Sequence, residues 1–323
     1  MRYVEAGGER LSVIGLGTWQ FGSREWGYGS GYAEHEAGEI ARRAVELGIN
    51  LFDTAEIYGF GRSEQILGSA IASERERIFI ATKVFPVAPV PAVLAWRAEA
   101  SARRLGVSEI DLYQIHWPNP LVPLRTQMTG MSRLRDRGLI RHIGVSNFSL
   151  GRWRAAERAL GGPVLTNQVR LNLVDRRPLR GTTAWAAEHG RVVMAYSPLA
   201  QGLLSARYDA DRRPGAMRAS QAAFLPENLE RAAGLLGTLK ATAAAHDATA
   251  AQVALAWVVS HPGVVAIPGA SSVAQLEQNA AAGDLELTGD EIRELTAAAE
   301  SFEPLGRREA LPAVVRRRFR PTT

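Results

Sequence analysis

The chain has 323 residues, 46% hydrophobic and 22% charged, proportions of a globular protein that exclude a disordered or fibrous chain. It has no cysteine, which removes disulfides, thiolate-held metals and a thiol nucleophile. The formal charge is +5 and only Lys83 and Lys240 are lysines; the arginines are mostly interleaved with Asp and Glu, so the excess charge forms no nucleic-acid footprint.

In chain order, Arg2–Glu5 and Glu9–Val13 flank Ala6-Gly7-Gly8 and read as a hairpin able to plug a barrel floor. Strand-like apolar runs follow at Val13–Leu16, Ile49–Asp53, Ile78–Lys83, Ile110–His116, His142–Ser146, Val164–Gln168, Val192–Tyr196 and Val264–Ile267. Helix-period segments such as Ala33–Leu47 and Pro91–Leu105 fill the intervals, and this alternation implies parallel neighbours. The one long interval runs from Val192 to Val264 and contains Gly202–Ala222, rich in Arg, Gly, Ser and Pro, a composition suited to a ligand-covering loop. Thr249-x-x-Gln252 and Thr288-x-x-Glu291 are capping boxes; the second opens a polar helix beyond the last strand. Residues 307–323 carry the only dense basic run, Arg316 to Arg318 with Arg320, and read as an exposed tail. Eight such units without a second compositional zone predict an α/β fold of the (β/α)8 TIM barrel class, one domain over residues 1–323, with the hairpin in front and an extra helix behind.

Other architectures and chemistries fit less well. Gly15-Leu16-Gly17-Thr18-Trp19-Gln20 has Gln where a dinucleotide fingerprint needs its third glycine. Neither lysine follows a glycine, which excludes a Walker A loop, and Phe148 stands where a nucleophile elbow needs its second glycine. The apolar runs are strand-sized and the N-terminus has no apolar leader core. A cytoplasmic protein with no membrane or nucleic-acid partner is expected, its oligomeric state open.

Side chains at the C-terminal ends of barrel strands face the mouth. Asp53, Lys83 and His116 each close an otherwise apolar strand, and Tyr58 follows on the next loop. Singly, each is consistent with a helix cap, a solvent-reaching lysine or a satisfied core histidine. Together at one rim they make an acid: Tyr58 donates a proton, Lys83 stabilises the tyrosinate left behind, Asp53 holds the ammonium, and a neutral His116 orients a carbonyl. The six histidines are scattered, so no metal is expected.

The run Asp53-Thr54-Ala55-Glu56-Ile57-Tyr58-Gly59-Phe60-Gly61-Arg62-Ser63-Glu64 closely resembles the signature of the aldo-keto reductase superfamily. Ile143-Gly144-Val145-Ser146-Asn147-Phe148 and Tyr196-Ser197-Pro198-Leu199 resemble its other two motifs, and the likeness runs from Gly15 to Asn279. It is nearest to the branch related to potassium-channel β subunits and bacterial aldo/keto reductases. The resemblance implies a catalytic tetrad of Asp53, Tyr58, Lys83 and His116, with NADP(H) extended across the rim. Ser146, Asn147 and Gln168 would hydrogen-bond the nicotinamide carboxamide and Tyr196 would stack on its ring. Ser197, Pro198, Leu199 and Gln201 would run beneath the pyrophosphate, with Arg207 and Arg218 covering the phosphates. Gly269, Ser271, Gln275, Gln278 and Asn279 would receive the adenosine end, and Thr18, Trp19 and Asp53 complete the cofactor set. Gly269 and Gln275 stand where the best-known branch has Lys and Arg for the 2′-phosphate, and Gln278 replaces a Glu, so NAD(H) stays open as the alternative cofactor.

The implied reaction is reduction of a small-molecule aldehyde or ketone, or its reverse, by transfer of the 4-pro-R hydride. Trp19, Trp26, Tyr28, Phe85 and Trp117 suggest aromatic walls for the substrate. Two rivals remain: a cofactor-binding regulatory or interaction subunit, against which His116 argues because that branch commonly has Asn there, and an NADP-retaining dehydratase or isomerase.

Overall fold

The structure, a computed structural model, describes residues 1–22, 34–209 and 222–305. Strands β1 (Tyr3–Ala6) and β2 (Glu9–Ser12) pair antiparallel, with Ala6 opposite Glu9. Gly7 and Gly8 both have positive φ, 61° and 81°, the two-residue turn whose twist matches that of the strands.

Eight parallel strands follow: β3 (Leu16–Gly17), β4 (Leu51–Asp53), β5 (Phe79–Val84), β6 (Ile110–Ile115), β7 (Ile140–Ser146), β8 (Thr166–Arg170), β9 (Val192–Tyr196) and β10 (Val264–Ala266). Each pairs with its sequence neighbour. Parallel bridges Ile14 to Ala266 and Gly17 to Gly269 join the first strand to the last, reinforced by Gly15 N to Ala266 O at 2.8 Å and Gly17 N to Pro268 O at 3.0 Å. The sheet closes on itself, as the eight-unit pattern predicts. The first ladder falls at Leu16–Gly17, later than the expected Val13–Leu16. Close approach explains its glycines: a Cβ at Gly17 would stand 2.8 Å from Ile267 O, and one at Gly15 2.8 Å from Leu51 O.

The strands are joined by α1 (Glu34–Glu46), α2 (Arg62–Ile71), α3 (Pro91–Leu105), α4 (Leu124–Asp136), α5 (Leu150–Leu160), α6 (Thr182–Glu188), α7 (Pro226–Ala245) and α8 (Ala250–Val259). Both α7 and α8 lie between β9 and β10, so the long interval holds two helices; residues 210–221, most of the expected ligand-covering loop, lie outside the described residues. After β10 come α9 (Val273–Ala281) and α10 (Gly289–Glu300). Both capping boxes form, at Thr249 with Gln252 and at Thr288 with Glu291. Among the described residues no helix is long and apolar enough to cross a membrane.

Alternation along the strands separates two cores. Outward residues such as Phe52, Ile80, Tyr113 and Val193 pack under the helices. Inward residues, among them Leu51, Phe79, Ala81, Leu112 and Met194, form a second cluster with Ala6 and Leu11 of the hairpin. The hairpin therefore seals the floor, and the opposite end of the barrel is left as the mouth.

Candidate active site

The same period of two that points Leu51 inward points Asp53 inward at the end of β4. Ala81 is followed by Lys83, and Leu112 and Gln114 by His116 just beyond β6. On the far side, Gln168 and Arg170 continue β8, and Tyr196 continues Met194 on β9. Apolar layers thus end in a ring of polar groups at the mouth.

Lys83 is fully buried and Asp53 is 3% exposed. The ammonium donates to Asp53 Oδ2 at 2.7 Å, to Thr54 O at 2.7 Å and to the Tyr58 hydroxyl at 3.3 Å, so each of its three hydrogens has an acceptor. Gln168 reaches across from β8, and its Nε2 donates to Asp53 Oδ1 at 2.7 Å. Burial lifts the Asp53 carboxyl above the usual carboxylate range, opposed by Lys83 and the Gln168 amide. For Lys83 burial pulls down, but Asp53 and Tyr58 outweigh it and the ammonium is retained. Burial also raises the Tyr58 phenol above its ordinary value, with Lys83 opposing and Asp53 adding. The stabilisation of tyrosinate by Lys83 that the sequence suggests is present, but it is outweighed by burial. In the folded protein desolvation wins, and Tyr58 keeps its proton until an acceptor arrives.

His116 has its pKa held down to about 3, first by burial and then by the charge of Lys83, so it is neutral across the physiological range. Its ring lies 5.9 Å from that of Tyr58 and edge-on to it. Nδ1 is buried without a hydrogen-bond partner among the described residues, so the ring meets the cavity by its other edge.

Behind these groups lies a support that does not sit at the strand ends and that the strand-end pattern of the sequence does not signal. The Glu56 carboxylate accepts from Phe85 N and from Arg97, which also donates to Phe85 O; this clamps the Tyr58 loop to the loop after β5 and to α3. Glu64, fully buried, accepts from Thr82 and Arg104 at 2.6 Å each. Both acids belong to the signature run around Tyr58, a signal that they serve the loop. Thr18 belongs to this support and not to the cavity wall. It is fully buried, and its hydroxyl bonds Asp53 O at 3.0 Å and Ser63 Oγ at 2.7 Å, leaving no surface to meet a cofactor.

A cavity of about 890 Å³ opens over the mouth, toward the upper end of the about 300–1,000 Å³ usual for ligand and cofactor sites. It brings together Asp53, Tyr58 and His116 with Ser146, Asn147, Gln168 and Tyr196. Ser197, Pro198, Leu199, Gln201 and Arg207 line it after β9, and Gly269, Gln275, Gln278 and Asn279 beyond β10. Asn147, Ser197 and Gln201 have φ of 61°, 49° and 59°. Such non-glycine strain costs on the order of 1–3 kcal/mol per residue and gathers at functional sites.

Some expectations differ, and others fall outside the described residues. Ser271 is exposed outside the cavity lining, and its N–H and hydroxyl both donate to Gln275 Oε1 at 3.0 Å. Phe85 does not line the cavity but stands edge-on to His116, at 6.4 Å between ring centres. Trp19 and Trp117 line it as expected. Trp26, Tyr28, Arg218 and the tail at 307–323 lie outside the described residues. Arg170 and Gln20 were missed. Arg170 lines the cavity beside the Tyr196 ring, 5.7 Å from its centre, and the period of two from Gln168 points to it. Gln20 packs against Gly269, where a Cβ would stand 2.0 Å from its amide; nothing local in the sequence signals that contact.

The family described as "Aldo/keto reductase family" matches residues 13–300. An uncharacterized oxidoreductase of Mycobacterium tuberculosis is 54% identical over 317 residues, 98% of each chain. The methylglyoxal reductase YeaE of Escherichia coli is 35% identical over 292 residues, covering 89% of this chain and 90% of that one. An aldo-keto reductase from Klebsiella pneumoniae, solved in complex with NADPH, superposes with a TM-score of 0.76 at 31% identity, over 95% of this chain and 96% of that one. A closed barrel with its polar ring at the mouth agrees with a sequence match along nearly its whole length, and the chain belongs to the aldo/keto reductase family.

Proposed function

We propose that this protein reduces an aldehyde or ketone with NADPH, Tyr58 serving as the general acid. One observation carries this: the Tyr58 hydroxyl lies 3.3 Å from a fully buried ammonium that is itself anchored on Asp53 at 2.7 Å, in the same cavity as a neutral His116. When bound, the reduced nicotinamide supplies a hydride equivalent to the carbonyl carbon. The chain's own residues then have three tasks. His116 orients the carbonyl oxygen toward Tyr58. Tyr58 delivers its proton as charge develops on that oxygen, and Lys83 stabilises the phenolate that remains. Asp53 keeps the ammonium charged in a dry site.

The residues present fit the nicotinamide end of this cofactor. Gln168 lines the cavity while its Nε2 donates to Asp53, which leaves its acceptor oxygen and second amide hydrogen for a carboxamide. Tyr196 stands beside it, its hydroxyl donating to Asn147 Oδ1 at 3.0 Å, which orients the ring as a stacking surface. Arg207 lines the same cavity on the phosphate side.

The test is Tyr58→Phe followed by single-turnover absorbance of NADPH. Cofactor binding should stay near wild type while the chemical step falls by roughly 10²-fold or more. Retention of most of the wild-type rate would move the acid elsewhere, with His116 next in line. A panel of carbonyl compounds that includes methylglyoxal, the substrate named for the Escherichia coli relative, would identify the substrate.

A further inference from the structure

Arg170 lines the cavity without a task in the mechanism above. It extends the inward face of β8 past Gln168, and the β8–β9 ladder sets it opposite Tyr196. Its guanidinium carbon lies over the Tyr196 ring, 5.7 Å from the centre. Among the described residues its side chain makes no hydrogen bond and no ion pair. The neighbouring charges are matched or remote. Lys83 is neutralised by Asp53 at 2.7 Å, His116 is uncharged, Arg177 is held by both oxygens of Asp175, and Arg207 stands on the phosphate side. A guanidinium stays protonated at any working pH, so Arg170 presents a standing, uncompensated positive charge to the ring on which a nicotinamide would stack.

That charge does not treat the two forms of the cofactor alike. The oxidised nicotinamide ring is a cation and the reduced ring is neutral. A cation over one aromatic ring draws on the π density that a second cation stacked there would use, and the two charges repel. Unit charges on either side of one ring, about 9 Å apart at an effective dielectric of about 40 for an exposed guanidinium, change affinity about fivefold. The reduced ring feels neither effect. The phosphates are the same in both forms, so an arginine that gripped them would hold both forms equally.

We propose that Arg170, acting through Tyr196, is a specificity-determining residue that disfavours the oxidised cofactor, so that NADPH is held in preference to NADP+ and the site is biased toward carbonyl reduction. This rests on the cofactor assignment above, in which Tyr196 is the stacking surface.

The test is binding, read by calorimetry for NADP+ and by fluorescence titration for NADPH. In Arg170→Gln the ratio of the NADP+ to the NADPH dissociation constant should fall about fivefold, chiefly through tighter NADP+. ADP-ribose 2′-phosphate, which keeps the phosphates and lacks the nicotinamide, should bind that variant as it binds wild type. Arg170→Lys keeps the charge and should keep most of the ratio, and added salt should narrow the wild-type ratio. An unchanged ratio in Arg170→Gln would overturn the inference alone. So would equal weakening of both nucleotides together with ADP-ribose 2′-phosphate, which would assign Arg170 to the phosphates. Failure of wild type to bind either nucleotide would overturn the cofactor assignment and this inference with it.

Discussion

Lys83→Met keeps the length of the side chain and deletes its charge. Asp53, 3% exposed, then loses a donor at 2.7 Å and its counter-charge and keeps only the Gln168 amide. Stranding one member of a buried ion pair costs about 3–5 kcal/mol, a large share of the about 5–15 kcal/mol that holds a domain folded. The loss should depend on pH with a definite sign. In wild type, burial already raises the Asp53 carboxyl and Lys83 opposes that rise. Without the ammonium the folded-state pKa climbs further, while the unfolded value stays near about 3.9. A carboxyl raised on folding costs stability above its folded pKa, and the cost fades as pH falls toward the unfolded value. The deficit relative to wild type should be greatest at pH 8 and smaller at pH 5, read from urea midpoints. Lys240→Met, on an exposed position of α7, should stay within about 0.5 kcal/mol of wild type at both. Adding Asp53→Asn to Lys83→Met removes the stranded charge and should recover much of the loss. Turnover of Lys83→Met should fall, and its residual rate should follow pH differently from wild type. A deficit equal at both pH values, or none at all, would refute the reasoning.

Two further outcomes are expected. His116, with a folded pKa of about 3 against 6.5 for the free side chain, resists a proton that the unfolded chain takes up; stability should therefore fall as pH drops below 6.5, by about 2 kcal/mol at pH 5. Denaturation of His116→Asn should lack that component, and an unchanged pH dependence would show that His116 is not its source. NADPH should bind more tightly than NADH, and both affinities should weaken in Arg207→Ala, more so at low salt. Fluorescence titration at two ionic strengths reads this. Equal wild-type affinities would mean that Gly269 and Gln275 have abolished the 2′-phosphate site.

The barrel was legible because its determinants are local and repetitive. A run such as Ile78–Lys83 declares a buried strand, the capping boxes at Thr249 and Thr288 declare helix starts, and Gly7-Gly8 declares the hairpin turn. What blurred the first strand is non-local. Gly15 and Gly17 are there because Leu51 O and Ile267 O approach within 2.8 Å of a Cβ position, and those contacts come from residues about to be strand neighbours on either side. Nothing in the segment Val13–Leu16 itself says which of its residues will pair.

The site divides along the same line. Period two and the strand ends suffice to aim Asp53, Lys83, Gln168 and Tyr196 at the mouth, and the same rule reaches Arg170. The allocation of hydrogen bonds among them is another matter, since it joins groups far apart in the chain. Gln168 and Asp53 are 115 residues apart, and Thr18 turns from a cavity residue into a buried support because Ser63, 45 residues on, is folded beneath it. Each donor committed to a distant acceptor is one fewer to offer a ligand. Asn147, which by its motif alone has a full amide for the cofactor, retains only acceptor capacity once His116 O, Ser146 and Tyr196 are satisfied. The sequence therefore names the residues of the mouth, while the closed barrel decides which of their atoms are left to act.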